Sequence, residues 1–168
     1  MSVICTRTGV AFDVLDPRPE MVNIFDIAHA LARVNRFGGH SSVAYSVAQH
    51  SVYVSHDVPA PLAKAALLHD AAEAYLGDVM TPVKQLLPDY QALYAQVEHA
   101  VELRFGVEFG HPLIKQADLL ALGAERRDLM PRVSWWPGQS AGVRLVIPLS
   151  AEMAERAFLA RWGEVTNA

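Results

Sequence analysis

The stretch "ALLHDAAEAYLGD", residues 66–78, reads as a helix that is apolar or small on every side, as a helix buried within a bundle must be. Yet His69 and Asp70 stand next to each other inside it, and Glu73 follows a turn later. Successive residues of a helix are about 100° apart around the axis, so His69 and Asp70 cannot satisfy each other. Glu73, four residues from His69 and three from Asp70, shares their surface. Burying polar groups without partners is costly. The segment therefore calls for a third partner from elsewhere in the chain.

The chain that must supply it has 168 residues, 52% of them hydrophobic, and a net charge of −4. That is enough for one domain, expected over 1–168, with a substantial core. The mild acidity and the lack of a Lys/Arg cluster exclude nucleic-acid binding as the main activity, because duplex binding rests on phosphate neutralisation. Cys5 is alone, which removes a disulfide framework and suits a reducing compartment. No stretch approaches the roughly 20 apolar residues of a membrane span, and "MSVICTRTGVAFDVLDP" has no sustained apolar run of the secretory kind. A cytoplasmic protein without membrane association is expected.

Outward from residues 66–78 the text is helical nearly throughout. "VICTRTGVAFDVL" alternates about Thr8-Gly9 and predicts a short β-hairpin. Asn23 with Asp26 marks a helix start, followed by Ile24, Ile27, Leu31 and Val34 at helical spacing, and "NRFGGH" interrupts. Further helices are expected at about 41–55, 62–76, 89–105 and 112–129, and from Ser150 to a stop at Gly163. Between the last two lies a long irregular segment, with a possible strand at "VRLVI".

Some polar residues fall on inward faces. Val43, Val47, His50 and Val54 form one stripe, so His50 should face the core. Ile114, Asp118 and Ala121 share a face, with Leu122 and Glu125 continuing near it. His29, His56 and His99 lie off their stripes and are expected at the surface. Buried carboxylates and imidazoles converging from three helices are neutralised together by a divalent cation. Two imidazole nitrogens and two carboxylate oxygens suit Mn, Co, Fe, Ni, Zn or Mg. His50, His69, Asp70 and Asp118 are the expected ligands.

The order H…HD…D resembles the HD-domain phosphohydrolase superfamily. The blocks "NRFGGH", "YSVAQHS", "LLHDAAEAYLGDVMTPVK" and "HPLIKQAD" are similar to those of the small bacterial and phage enzymes that hydrolyse deoxynucleotides. Among these are 5′-deoxynucleotidases and phage dATP triphosphohydrolases. The resemblance covers roughly residues 33–130. It implies an all-α HD-domain helical bundle, here with the N-terminal hairpin, and places the metal ligands on His50, His69, Asp70 and Asp118. It also implies a catalytic acidic pair at Glu73 and Asp78, and phosphate-binding cations at Arg36 and Lys84. Phe37, where relatives have Trp, would lie against sugar or base, and Pro82 would help wall the pocket. Relatives usually have Glu where this chain has Gln49, a neighbour of the ligand His50.

The function so implied is metal-dependent cleavage of a deoxynucleotide 5′-phosphate ester. The wording of "YSVAQHS" and "AYLGD" is nearer to the triphosphate-acting type, with a deoxynucleoside monophosphate as the alternative substrate. A non-catalytic nucleotide sensor is disfavoured by the joint presence of Glu73, Asp78, Arg36 and Lys84. The resemblance further implies a bacterial or phage-infected cytoplasm and a homo-oligomer, dimer or hexamer. Trp135 and Trp136 are expected in core or interface packing.

Overall fold

A computed structural model describes residues 2–136 and 140–167. The chain is mostly helical, with a two-stranded antiparallel hairpin of β1 (Val3–Cys5) and β2 (Ala11–Asp13), Ile4 opposite Phe12. The helices are α1 (Ile24–Leu31), α2 (Val47–His56), α3 (Ala63–Leu68), α4 (Glu73–Leu76), α5 (Thr81–Lys84), α6 (Pro88–Phe105), α7 (Pro112–Leu129) and α8 (Ala151–Thr166). Among the described residues no helix is long and apolar enough to cross a membrane.

The hairpin is tied down by one apolar and one polar anchor. Phe12 is fully buried and stacks on Tyr75 with ring centroids 3.9 Å apart. Asp26, in the first turn of α1, accepts from the Thr8 amide and hydroxyl, both at 2.7 Å. Asp26 is thus drawn to the hairpin, while Asn23 caps α1 alone by accepting from the Phe25 amide.

Helix α2 runs through the centre, packed on α3, α7 and α8. Val47, Ala48, Gln49, His50, Ser51, Val52, Val54 and Ser55 are all buried, so almost no face is left to solvent. It begins later than the expected residue 41. Ser46 caps it, and the preceding residues run extended so that Asn35 bridges Ser46 and the Arg36 amide donates to the Tyr45 carbonyl at 2.9 Å. That pairing fixes Arg36 beside the start of α2.

Three other expectations are corrected and a fourth is narrowed. The helix expected over 62–76 is broken at 69–72, where Ala71 to Leu68, Glu73 to Asp70 and Ala74 to Ala71 hydrogen bonds span three residues and tighten the turn. Gly163 does not end α8, which continues to Thr166. "VRLVI" forms no strand; side chains take the place of a neighbouring strand. Arg127 donates to the Arg144 carbonyl, Asp128 accepts from the Val146 amide, and Gln49 donates to the Ile147 carbonyl and accepts from the Leu149 amide. Of the pair expected in core or interface packing, Trp135 is 79% exposed, which leaves the core out, and Trp136 meets the edge of Phe37. Residues 137–139 of that irregular segment lie outside those described.

Candidate metal and phosphate site

The tightened turn at 69–72 aims the polar residues of the central stretch. The His69 ring donates from Nδ1 to the Ala66 carbonyl at 2.7 Å, which fixes its tautomer and leaves the Nε2 lone pair facing inward. His50 is held likewise. Its Nδ1 lies 2.7 Å from Oε1 of Glu125, and a carboxylate can only accept, so Nε2 is again the free nitrogen. Both Nε2 atoms are buried without a hydrogen-bond partner among the described residues.

The carboxylates come to these two nitrogens. Asp118 Oδ1 is 3.3 Å from His50 Nε2, and Asp70 Oδ2 is 3.3 Å from His69 Nε2 and 3.6 Å from His50 Nε2. Donor atoms of His50, His69 and Asp118 all lie within 4.8 Å of one another. Such separations suit donors gathered at roughly 2.0–2.2 Å around one ion. The four side chains expected from helical spacing are therefore brought together from α2, the turn after α3, and α7, and they could hold a divalent cation.

The cations and acids nearby follow from neighbouring segments. Arg36 starts a 3₁₀ turn, Arg36–Gly39, in which Phe37 takes the left-handed conformation at φ 57°, uncommon for a non-glycine residue. Its guanidinium Nε is 3.0 Å from Glu125 Oε2 and its Nη1 is 3.6 Å from Asp70 Oδ2. At the end of α4, Gly77 adopts φ 79°, ψ 159°, a region open essentially to glycine alone, and redirects the chain so that Asp78 follows at the site's edge. Lys84 Nζ is 3.9 Å from Glu73 Oε1 and 3.9 Å from the centre of the Tyr94 ring. Pro82 sits exposed in the first turn of α5.

Charge is strongly redistributed here. Burial opposes ionisation of Asp70 and Asp118, yet the flanking histidines overcome it and hold both well below the usual carboxylate range. Burial and Arg36 push the His50 imidazole down, and Glu125 with Asp118 outweighs them, lifting it to about 9. Glu73 goes the other way: burial, then the charges of Asp70 and Asp78, raises it to about 10, and one of its oxygens is buried without a partner. Asp78 is raised as well, first by burial.

Glu125 was read from the sequence only as a neighbour of the Asp118 face. It is fully buried and takes three donors: His50 Nδ1, Arg36 Nε and the Tyr45 hydroxyl at 3.0 Å. The available signal was its place two turns after Asp118 on an inward face.

A helical bundle holding adjacent His and Asp with a distant His and Asp, beside an arginine and a lysine, defines an HD-type site. A family profile described as "5′-deoxynucleotidase YfbR-like" matches residues 40–118. The uncharacterized protein YfdR of Escherichia coli is 39% identical over 174 residues, 99% of this chain and 97% of that protein. An uncharacterized protein of Rhodobacter capsulatus, RCAP_rcc00048, is 39% identical over 137 residues, 73% of this chain and 70% of that one. The 5′-deoxynucleotidase PM0747 of Pasteurella multocida is 34% identical over 59 residues, 35% of this chain and 30% of that enzyme. The chain belongs to the YfbR-like 5′-deoxynucleotidase family of HD-domain proteins.

Proposed function

We propose that this protein is a metal-dependent phosphohydrolase that cleaves the 5′-phosphate ester of deoxynucleotides, with deoxynucleoside monophosphates as the first substrates to test. The observation that carries the proposal is the pair of buried, unpartnered Nε2 atoms of His50 and His69 facing the Asp70 and Asp118 carboxylates, beside Arg36 and Lys84. Family membership supports the substrate class.

A divalent cation held by those four side chains would lower the pKa of a water and withdraw charge from the phosphoryl group. The chain's own groups supply the rest. Arg36 is clamped through Nε by Glu125 with Nη1 toward Asp70, so the remaining edge of its planar fork would take phosphate oxygens. Lys84, steadied on the Tyr94 ring, adds a point charge from the other side. Burial raises both Glu73 and Asp78, with Asp70 adding to each and Asp78 adding to Glu73, so the two form a pair able to keep and pass a proton. Glu73 orients the attacking water, and Asp78 serves the departing 5′-oxygen. Phe37, whose ring is beside the Arg36 guanidinium and edge-on to Trp136, would contact the sugar or base, a role that its nearness to Arg36 supports.

One observation favours triphosphate substrates. A cavity of about 510 Å³ beside α7 is lined by Arg126, Arg127 and Arg132, and Arg126 lies over Trp136, which in turn meets Phe37. Arg127 is already paired with Asp128. A panel of dNMPs and dNTPs with Mn²⁺ or Co²⁺ separates the readings by product, free phosphate against tripolyphosphate. No turnover of any member would refute both. A homo-oligomer is proposed alongside, with sedimentation velocity as its test.

A further inference from the structure

We infer that Glu125 is a positioning residue that locks the metal ligand His50 and the phosphate-binding Arg36 into one unit. This rests on the proposed phosphohydrolase reading and deepens it. The two oxygens of Glu125 divide the work. Oε1 accepts from His50 Nδ1 at 2.7 Å and from the Tyr45 hydroxyl at 3.0 Å, and Oε2 accepts from Arg36 Nε at 3.0 Å. Glu125 and His50 are both fully buried and Arg36 nearly so, so no water can replace a lost partner without a rearrangement.

The consequence for His50 is tautomeric. With Nδ1–H committed to Glu125, the only nitrogen left for a cation is Nε2, the atom that faces Asp70, Asp118 and His69 Nε2. Carboxylates behind a ligating histidine orient the ring and raise its basicity, and losing one typically lowers metal affinity by about 10–100-fold. The consequence for Arg36 is rotational. Nε on Glu125 and Nη1 toward Asp70 fix the plane of the guanidinium, so its free edge is presented to the phosphate in one orientation. The group that shapes the cation site thus also sets the phosphate clamp, although its partners are 75 and 89 residues away in the chain.

The decisive substitution is Glu125→Gln, which keeps the shape but offers one acceptor and one donor where two acceptors are needed. If the amide oxygen faces His50, its N–H₂ meets Arg36 Nε–H donor to donor; turned round, it forces His50 into the other tautomer. Calorimetric titration with MnCl₂, with both proteins compared at pH 9 where the proton on His50 is no longer a strong competitor, should show affinity weakened by about 10–100-fold. KM for the nucleotide turned over should rise even at saturating Mn²⁺. Tyr45→Phe, which removes only the third donor, should move neither value by more than a few-fold. A purely structural Glu125 would lower thermal stability and leave the Mn²⁺ affinity and KM of folded protein unchanged, and that result would overturn the inference.

A measurement on the unaltered chain guards against a misfolded variant. In Zn²⁺-loaded, ¹⁵N-histidine-labelled protein, His50 should carry its proton on Nδ1, in slow exchange and shifted downfield. An Nε2–H tautomer there would overturn the inference as well. Wild-type protein that binds no Mn²⁺ and turns over no nucleotide would overturn the phosphohydrolase reading itself, and Glu125 with it.

Discussion

The cation and a proton must compete for His50, and the competition has a predictable size. In the cation-free protein the imidazole is raised from 6.5 to about 9 because Glu125 and Asp118 together outweigh burial and Arg36. At pH 7, two units below that value, only about one molecule in a hundred offers a neutral His50. At about 1.4 kcal/mol per unit the penalty on metal binding is roughly 3 kcal/mol, on the order of 100-fold in apparent Kd. The affinity for Mn²⁺ should therefore tighten about tenfold for each pH unit up to pH 9 and then level off. Calorimetry in two buffers of different ionisation heat should register about one proton released per ion near neutral pH. Stability carries the same sign. The raised pKa makes protonated His50 a stabilising group in the cation-free chain, fully so below about pH 6.5 and progressively less as pH climbs through 9. The loaded protein should lack that decline. A Kd that is flat from about pH 6.5 to 9, with no proton released, would refute the reasoning, since His50 would then either be neutral beforehand or not be a ligand.

Four further substitutions probe the frame and the proton pair. A Cβ on Gly123 would lie 2.4 Å from the Ser140 carbonyl oxygen, with backbone rather than a pliable side chain in the way, so Gly123→Ala should cost about 1–3 kcal/mol in a denaturant melt; an unchanged midpoint would mean the 140–142 segment does not pack there. Gln49→Glu removes an amide that donates to the Tyr53 hydroxyl and the Ile147 carbonyl, at a cost of about 1–3 kcal/mol by the same measurement. Unaltered stability would show that this anchor is dispensable. Glu73→Gln and Asp78→Asn should each lower kcat by about 100-fold or more and remove one limb of the pH–rate profile; near-normal turnover in either takes that residue out of the scheme.

The inward-facing polar residues proposed as ligands were legible because they fell among apolar neighbours. His50 interrupts Val47 and Val54, and Asp118 interrupts Ile114 and Ala121, a periodicity that survives folding because it records which face is buried. The long helices α6 and α7 were legible to within a residue, being bounded by Pro88 and Pro112 and by turn-forming residues. The break at 69–72 was hidden because Leu, Ala and Glu around it all favour helix, and the tightening shows only in the bonds its carbonyls accept. "VRLVI" misled for a related reason. Its alternation is genuine, with Val146 buried between exposed Leu145 and Ile147, but its hydrogen bonds go to side chains of α2 and α7. Glu125 was the largest gap. A carboxylate's role depends on which donors arrive from distant segments, and the approach of Arg36, Tyr45 and His50 is decided by packing that leaves no local trace.

The most direct test of the central claim is the product released from dAMP and dATP by protein stripped with a chelator, before and after Mn²⁺ is restored. Hydrolysis should be absent from the stripped protein, return with the ion, and stay absent in Asp70→Asn under both conditions. Equal activity with and without the ion, or a fully loaded protein that leaves both nucleotides intact, would contradict the account.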